Sequence, residues 1–358
     1  MAATNRRYVE VEGRRLASAG RALVVIVLAL VLGLLLDAPG LHKASLNETP
    51  GTRRTISLAI TGALESTSHA LRLDRPRHWV KAALGRSGDD QIDTPVAVPV
   101  APVTQPRGPR PVRTTRAAVP GHPGVKRRAF TPAAPLRLWV AGDSLVIEPG
   151  YALQRAALAT PVIKSVGGVD GKIGTGLDRP DVFNWFLEIR RQLKELHPNA
   201  VLLCFGGNDD KEYMTGLPAG ASIGSFDDPS WQREYARRVG GLIDLINRAG
   251  AYVVWMGLPI TVDPAQTSRF DAINAVVDRV VQSRPGGASF VDTYRLLQSP
   301  TGGYAEYLQN LSGQMEDVRA PDGVHLAPAG AAIVAREVLK QLNTAYDLTS
   351  WRKARGAG

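Results

Sequence analysis

The fold of this 358-residue chain is indicated first by the segment Leu136-Arg137-Leu138-Trp139-Val140-Ala141-Gly142-Asp143-Ser144. Its first five residues predict an apolar β-strand, and the glycine and polar residues after them predict the turn that ends it. Four more short apolar runs predict strands at residues 161–166, 200–205, 251–256 and 288–291. Amphipathic patterns predict helices at residues 147–158, 181–196, 231–249, 270–282 and 327–342. Strands that alternate with helices in this way predict a five-stranded parallel sheet with helices on both faces, a three-layer α/β/α domain.

Chemically useful side chains follow the ends of two of these strands. Ser144 comes after the first strand and Asn208 after the third, and in open α/β sheets the site lies at the carboxyl ends of the strands. Near the C-terminus, Asp322 and His325 supply an acid and a base three residues apart. The domain holds one other histidine, His197, which precedes a proline at a predicted helix end and is typical of a capping residue. The set therefore offers a nucleophile, a base, an acid and a polar donor.

Three short blocks carry a resemblance to a known family. Gly142-Asp143-Ser144-Leu145, Gly207-Asn208-Asp209 and Asp322-Gly323-Val324-His325 resemble the first, third and fifth blocks of the SGNH (GDSL-like) hydrolases. For the glycine of the second block Gly176 fits best, with Gly174 as the fallback. The resemblance covers residues 136–342, and the context of residues 174–181 is similar to a bacterial, envelope-associated branch of the family.

This resemblance implies a flavodoxin-like sheet and a Ser-His-Asp triad. Ser144 would be the nucleophile, His325 the base and Asp322 the acid that orients it. The backbone N–H groups of Ser144 and Gly176 and the side-chain amide of Asn208 would form the oxyanion hole. Other interpretations stay open: Asp322 and Ser144 as helix caps and Asn208 as a turn residue. Three more aspartates are expected to be turn and network residues: Asp143, Asp209 and Asp210.

No cofactor or metal is expected at this site. The aspartates lack neighbouring histidines and cysteines at zinc-binding spacing, and no glycine-rich loop has P-loop spacing. The single cysteine, Cys204, lies in the apolar run 201–205 and is predicted to be a buried core residue.

The N-terminus carries the localisation signal. Residues 22–36 form an unbroken apolar run, and extending it to about residue 16 gives a length that can span a membrane. Five arginines precede the run, which predicts a cytoplasmic N-terminus and an exported catalytic domain, periplasmic or extracellular. A cleaved signal peptide is the rival, but Asp37-Ala38-Pro39-Gly40 lacks a small-x-small site. We therefore expect residues 1–44 to be a cytoplasmic tail and an uncleaved, single-pass anchor in the inner (cytoplasmic) membrane.

Two segments separate this anchor from the catalytic domain. Residues 45–93 are predicted to be a small helical juxtamembrane region, broken into short helices at Gly62 and Pro76. Residues 94–135 are rich in proline and contain seven basic and no acidic residues, which predicts a disordered linker that could bind anionic lipid or polymer. The hydrolase domain is expected over residues 136–345 and a tail over residues 346–358.

Together these features predict an exported, membrane-anchored serine esterase. It would hydrolyse O-acyl esters, acetyl esters above all, of an envelope or extracellular glycan through an acyl-enzyme. An O-acyltransferase would need the same triad and could receive its acyl group from a membrane partner. A non-catalytic glycan-binding or assembly protein is the second alternative, and the complete set of site residues argues against it. Nucleic acid is not an expected partner of an exported segment.

Overall fold

A computed structural model describes most of the chain. The described residues fall into two units, residues 1–88 and 89–358, which are taken separately below. The ranges described are 8–11, 14–17, 19–46, 52–73, 75, 79, 92, 128–210, 214–217, 223–226, 228–310 and 312–352.

The first unit begins with an antiparallel hairpin of β1 (Tyr8–Val11) and β2 (Arg14–Ala17). The apolar helix α1 (Ala19–Leu36) follows, and it is long and apolar enough to cross a membrane by length and composition. It starts at Ala19 rather than near residue 16, because residues 14–17 pair with the preceding strand. None of its residues is buried within the described structure.

Two more helices complete this unit, α2 (Ala38–Leu46) and α3 (Thr52–Ala70). They lie against each other, with His42 Nδ1 3.2 Å from Thr61 Oγ1. The break predicted at Gly62 does not occur, since α3 runs through it; one glycine costs a helix only about 1 kcal/mol. The break predicted at Pro76 lies outside the described residues.

The second unit contains the predicted five-stranded parallel sheet. In chain order its strands are β3 (Leu136–Gly142), β4 (Ile163–Gly171), β5 (Ala200–Cys204), β6 (Tyr252–Met256) and β7 (Ala288–Val291). Their order in the sheet is β4-β3-β5-β6-β7, so the chain reverses direction across the sheet beside β3. Each fully buried aliphatic side chain contributes about 1.5–3 kcal/mol, and all five residues of β5 are buried. The predicted α/β fold is confirmed.

Helices cover both faces of this sheet. They are α4 (Ile147–Leu158), α5 (Trp185–Leu196), α6 (Pro229–Arg248), α7 (Pro264–Gln282), the short α8 (Thr293–Leu296) and α9 (Pro328–Ala345). Helix α4 lies against α9, while α5, α6 and α7 lie side by side in that order. A small hairpin, β8 (Tyr307–Gln309) and β9 (Met315–Asp317), precedes α9 and has no counterpart in the sequence prediction.

Three helices begin at capping residues instead of where their apolar patterns begin. Asp228 caps α6 and Asp263 caps α7, each followed by a proline at the first helical position. Asn184 accepts hydrogen bonds from two backbone N–H groups at the start of α5, four residues after the predicted start.

The boundaries of the domain are wider than predicted. Phe130 is 3% exposed, and its ring meets that of Tyr346 edge-on, with the centroids 5.2 Å apart. Leu348 is also buried. The last residues assigned to the linker and the first assigned to the tail therefore belong to the folded domain, because each brings an apolar side chain to its core. The rest of the predicted linker, residues 94–127, lies outside the described residues.

Candidate active site

The end of β3 places the serine at the carboxyl edge of the sheet. A Cβ added to Gly142 would lie 2.1 Å from the carbonyl oxygen of Cys204, so only glycine allows β3 and β5 to approach this closely here. The N–H of Asp143 donates to that same carbonyl at 3.0 Å. The chain then turns into a short 3₁₀ helix, Ser144–Val146, which begins at the serine.

The loop before α9 brings the histidine to this serine. Ser144 Oγ lies 2.8 Å from His325 Nε2, and His325 Nδ1 lies 2.6 Å from Asp322 Oδ2. The other oxygen of Asp322 accepts the N–H groups of Val324 and His325 at 2.9 and 3.0 Å. The aspartate therefore fixes the loop through one oxygen and the imidazole through the other.

The same contacts set the charge of Asp322. Burial alone would raise the pKa of its carboxyl. The N–H of Val324, the ring of His325 and the N–H of His325 together outweigh burial and hold the pKa below its usual range. Both side chains remain open to solvent, with exposed fractions of 40% for His325 and 50% for Asp322. An ionised carboxylate beside Nδ1 favours the tautomer in which Nε2 can accept a proton.

A buried carboxyl joins the serine turn to the turn after β5. Asp143 is completely buried; its Oδ1 accepts the N–H of Leu145 at 2.9 Å, and its Oδ2 accepts the N–H of Gly207 at 2.8 Å. Desolvation by burial raises the pKa of Asp143 to about 7, against the lowering effect of these N–H groups. This residue fixes the relative position of Ser144 and Asn208.

A second buried carboxyl holds the loop that contains Gly176. Asp209 accepts the N–H of Leu177 at 2.9 Å, the N–H of Asp178 at 3.0 Å and the hydroxyl of Tyr235 at 2.7 Å. A Cβ on Gly176 would lie 1.8 Å from Asp209 Oδ1, so the loop can lie this close only because residue 176 is glycine.

The three predicted oxyanion donors lie on these connected turns. Asn208 Nδ2 donates to the carbonyl of Thr175 at 3.0 Å, which fixes the orientation of its amide and leaves the second N–H of that nitrogen for another acceptor. Within the described ranges, the backbone N–H groups of Ser144 and Gly176 donate to no protein acceptor. All three groups therefore have a hydrogen-bond donor to offer a ligand.

Sequence reasoning missed the buried residues behind this loop. Arg238, in α6, donates to the carbonyls of Leu177 and Thr215, both at 2.6 Å, and pairs with Glu234 at 2.8 Å. Asp178 is 1% exposed, and burial raises its pKa well above the usual range. A single arginine or aspartate in a polar stretch does not indicate burial. The one signal in the sequence is that Asp178 lies two residues after Gly176, the glycine assigned to the second block.

Residues predicted to be structural occupy structural positions. His197 ends α5 in the left-handed conformation, with φ 42°, and its N–H donates to the carbonyl of Leu193. Cys204 is fully buried at the end of β5. Among the described residues, no group of three or more histidine, cysteine, aspartate or glutamate side chains could hold a metal ion.

Comparisons with known proteins complete the description of the site. A family model described as protein of unknown function (DUF459) matches residues 137–341, and no curated protein matches the chain. A GDSL-like lipase from Bacteroides thetaiotaomicron is 17% identical, with TM-score 0.39 and coverage of 58% of this chain and 88% of the lipase. A mutant of an acetylxylan esterase from Geobacillus stearothermophilus is 15% identical, with TM-score 0.39 and coverage of 63% and 98%. An alpha/beta hydrolase from the metagenome of Lake Arreo, Spain, is 16% identical, with TM-score 0.38 and coverage of 57% and 94%. The assignment to a family rests on the model that matches residues 137–341.

Proposed function

The chain belongs to the DUF459 family, and we propose that it is a membrane-anchored serine esterase of the SGNH type. The observation that carries the proposal is the continuous hydrogen-bonded series from Ser144 Oγ through His325 to Asp322, with distances of 2.8 and 2.6 Å. A serine, a histidine or an aspartate can each serve as a cap or a turn residue. Here the three side chains are hydrogen-bonded in the order nucleophile, base and acid, which nucleophilic catalysis requires.

The first half of the reaction forms an acyl-enzyme. Ser144 Oγ attacks the carbonyl carbon of the ester while His325 Nε2 takes the hydroxyl proton. Negative charge develops on the carbonyl oxygen, where the N–H groups of Ser144, Gly176 and Asn208 stabilise it. The bond to the alcohol oxygen then breaks, and His325 gives its proton to that oxygen, so the alcohol leaves neutral.

The second half regenerates the enzyme. A water molecule gives a proton to His325 and attacks the acyl carbon, and the bond to Ser144 Oγ breaks as the proton returns to it. Asp322 keeps its negative charge throughout and stabilises the imidazolium in both halves. Its lowered pKa supports this role, since the carboxylate stays ionised into mildly acidic solution.

The openness of the site supports a bulky alcohol group. His325 and Asp322 are about half exposed, so an alcohol at Nε2 extends directly into solvent. A glycan that carries an O-acyl group at its surface fits such a site, because only the small acyl group has to enter. We therefore favour O-acetyl esters of an envelope or extracellular glycan as the substrate.

The proposed location rests on α1. An 18-residue helix that contains the apolar run 22–36 and has no buried side chain supports a membrane anchor, and the arginines before that run support a cytoplasmic N-terminus. The catalytic domain would then lie in the periplasm or outside the cell.

The test is hydrolysis of p-nitrophenyl acetate by the full chain in neutral detergent. Ser144→Ala and His325→Ala should each lower turnover by about 10⁴-fold or more, as removal of a triad member does elsewhere. His197→Asn is the matched control, because asparagine tolerates the left-handed conformation and should leave turnover unchanged. Wild-type turnover in Ser144→Ala would refute the proposal. Adding a glycan acceptor distinguishes an esterase from an O-acyltransferase, since acetyl transfer to the glycan that is faster than hydrolysis would identify the transferase.

A further inference from the structure

A basic cavity lies at the amino edge of the sheet, at the opposite end from Ser144. Its volume is about 380 Å³, within the range of small-molecule sites. Three of its lining residues are cationic, Arg128, Arg137 and Lys164, and none is acidic. Asn199 adds an amide, and the remaining lining is apolar.

The positive charges of this cavity are forced together by the fold. Arg137 and Lys164 are direct partners in the register of β3 and β4, so two like charges stand side by side on neighbouring strands. Such pairs destabilise a sheet unless something compensates them. Among the described residues, none of the three cations forms an ion pair with a carboxylate. The preceding residues 94–127 contain no acidic residue that could provide one.

One of the cations is held in position before any ligand arrives. Arg137 donates through Nη2 to the carbonyl of Leu196 at 2.6 Å and through Nε to the carbonyl of His197 at 3.1 Å. Its Nη1 has no protein acceptor within the described ranges. Arg128 lies over the ring of Phe130, with the guanidinium carbon 4.8 Å from the ring centroid. A guanidinium that is already ordered loses little entropy when an anion binds.

We propose that this cavity binds a phosphate ester. Three converging cations and an amide suit a group with several acceptor oxygens and at least one full negative charge, which a phosphate supplies. The apolar part of the lining, which includes Phe130 and Pro135, suits the carbon skeleton attached to that phosphate.

The position of the cavity leaves the candidate active site free. Arg137 is the second residue of β3 and Ser144 follows its end, so at about 3.3 Å per residue the two are about 20 Å apart. An anion can therefore hold the domain at one edge while the opposite edge stays open to an ester.

The test is calorimetric titration of the full chain, in neutral detergent at constant ionic strength, with glycerol 3-phosphate. Glycerol serves as the uncharged control ligand. Lys164→Gln and Arg128→Gln should each weaken binding about tenfold or more, since each removes a charge-assisted contact. Lys340→Gln is the matched control, because it removes an exposed lysine of α9 that pairs with Glu337 at 3.0 Å. Binding to this variant should not change.

Two results would overturn the proposal. One is a heat of titration with glycerol 3-phosphate that is no larger than the heat with glycerol. The other is binding of glycerol 3-phosphate that is weakened equally in Lys164→Gln and Lys340→Gln. Because this titration needs no turnover, its result is independent of the esterase assay.

Nanodiscs distinguish the source of the phosphate. Lys164 should be protected from an amine-reactive reagent in phosphatidylglycerol discs but not in phosphatidylcholine discs if a lipid headgroup is the ligand. Binding of glycerol 3-phosphate without protection in either disc would assign the site to a soluble or polymeric phosphate ester.

Discussion

Substituting Gly176 with alanine tests the geometry of the proposed oxyanion hole. The new Cβ would lie 1.8 Å from Asp209 Oδ1 and 2.6 Å from its Cγ, so the carboxyl group or the loop must move. Asp209 cannot easily give way, because it is fully buried and accepts three hydrogen bonds. The loop is therefore expected to shift away from the turn that carries Asn208.

The expected losses follow from the contacts that break. Each buried group left without its partner costs about 1–3 kcal/mol, so losing the bonds from Leu177 and Asp178 to Asp209 should cost about 2–6 kcal/mol of unfolding free energy. Much of a typical stability of about 5–15 kcal/mol would remain. Turnover should fall by about 10²–10³-fold, as it does when one oxyanion donor is lost.

The measurements are denaturant unfolding and p-nitrophenyl acetate turnover, with turnover corrected for the folded fraction. Gly174→Ala is the control, because its Cβ would meet no atom within 4 Å and only the positive φ of 71° would strain it. That strain costs about 1–2 kcal/mol and should leave turnover within a few-fold of wild type. Equal turnover in Gly176→Ala and wild type would refute the assignment, and greater damage from Gly174→Ala would move the second block to Gly174.

Three further predictions concern pH, the membrane and the linker. In the folded protein the pKa of Asp143 is about 7, against an ordinary value of 3.8. Between these two pH values the folded chain keeps the proton while the unfolded chain releases it, so the unfolding free energy should fall by about 4 kcal/mol as the pH rises. Asp143→Asn should remove that component from unfolding curves measured at pH 4 and pH 8, and an unchanged pH dependence would contradict the raised pKa. The full chain should resist extraction with carbonate, whereas release of a shorter soluble form would indicate a cleaved signal peptide. Deleting residues 94–127 should impair release of acetyl from native envelope polymer but not from p-nitrophenyl acetate. An equal loss of activity on the two substrates would contradict the proposal that the linker lets the anchored domain reach distant polymer.

The sequence predicts the sheet well because its strands are short, apolar and separated by clear helical patterns. All five predicted strands occur, and β5 coincides with the predicted run to within one residue. Helix starts are less well predicted, since Asp228 and Asp263 define them by capping, and polar caps lie outside the apolar periodicity. The sequence does not indicate the hairpin of β8 and β9, because its strands have only three residues each and are mostly exposed.

The candidate catalytic residues can be predicted from the sequence because they lie in short, recognisable blocks. Ser144, Asp322 and His325 could be chosen from the sequence, and the fold brings them within hydrogen-bonding distance. Asp143 and Asp209 are expected to be turn and network residues, but their hydrogen-bond partners could not be predicted, because those partners include backbone N–H groups from a distant turn. Burial of an acidic side chain is a property of three-dimensional packing, and its residue type alone argues for the surface.

The distance in sequence between the proposed nucleophile and the proposed base has a consequence for biosynthesis. Ser144 and His325 are 181 residues apart, and the histidine lies just before the last helix, α9. A ribosome therefore completes almost the entire domain before the base exists, and no truncated product that stops short of residue 325 can carry the three-residue relay. On the proposed mechanism, every unfinished chain would therefore lack esterase activity until the C-terminal end packs beside the first strand of the sheet.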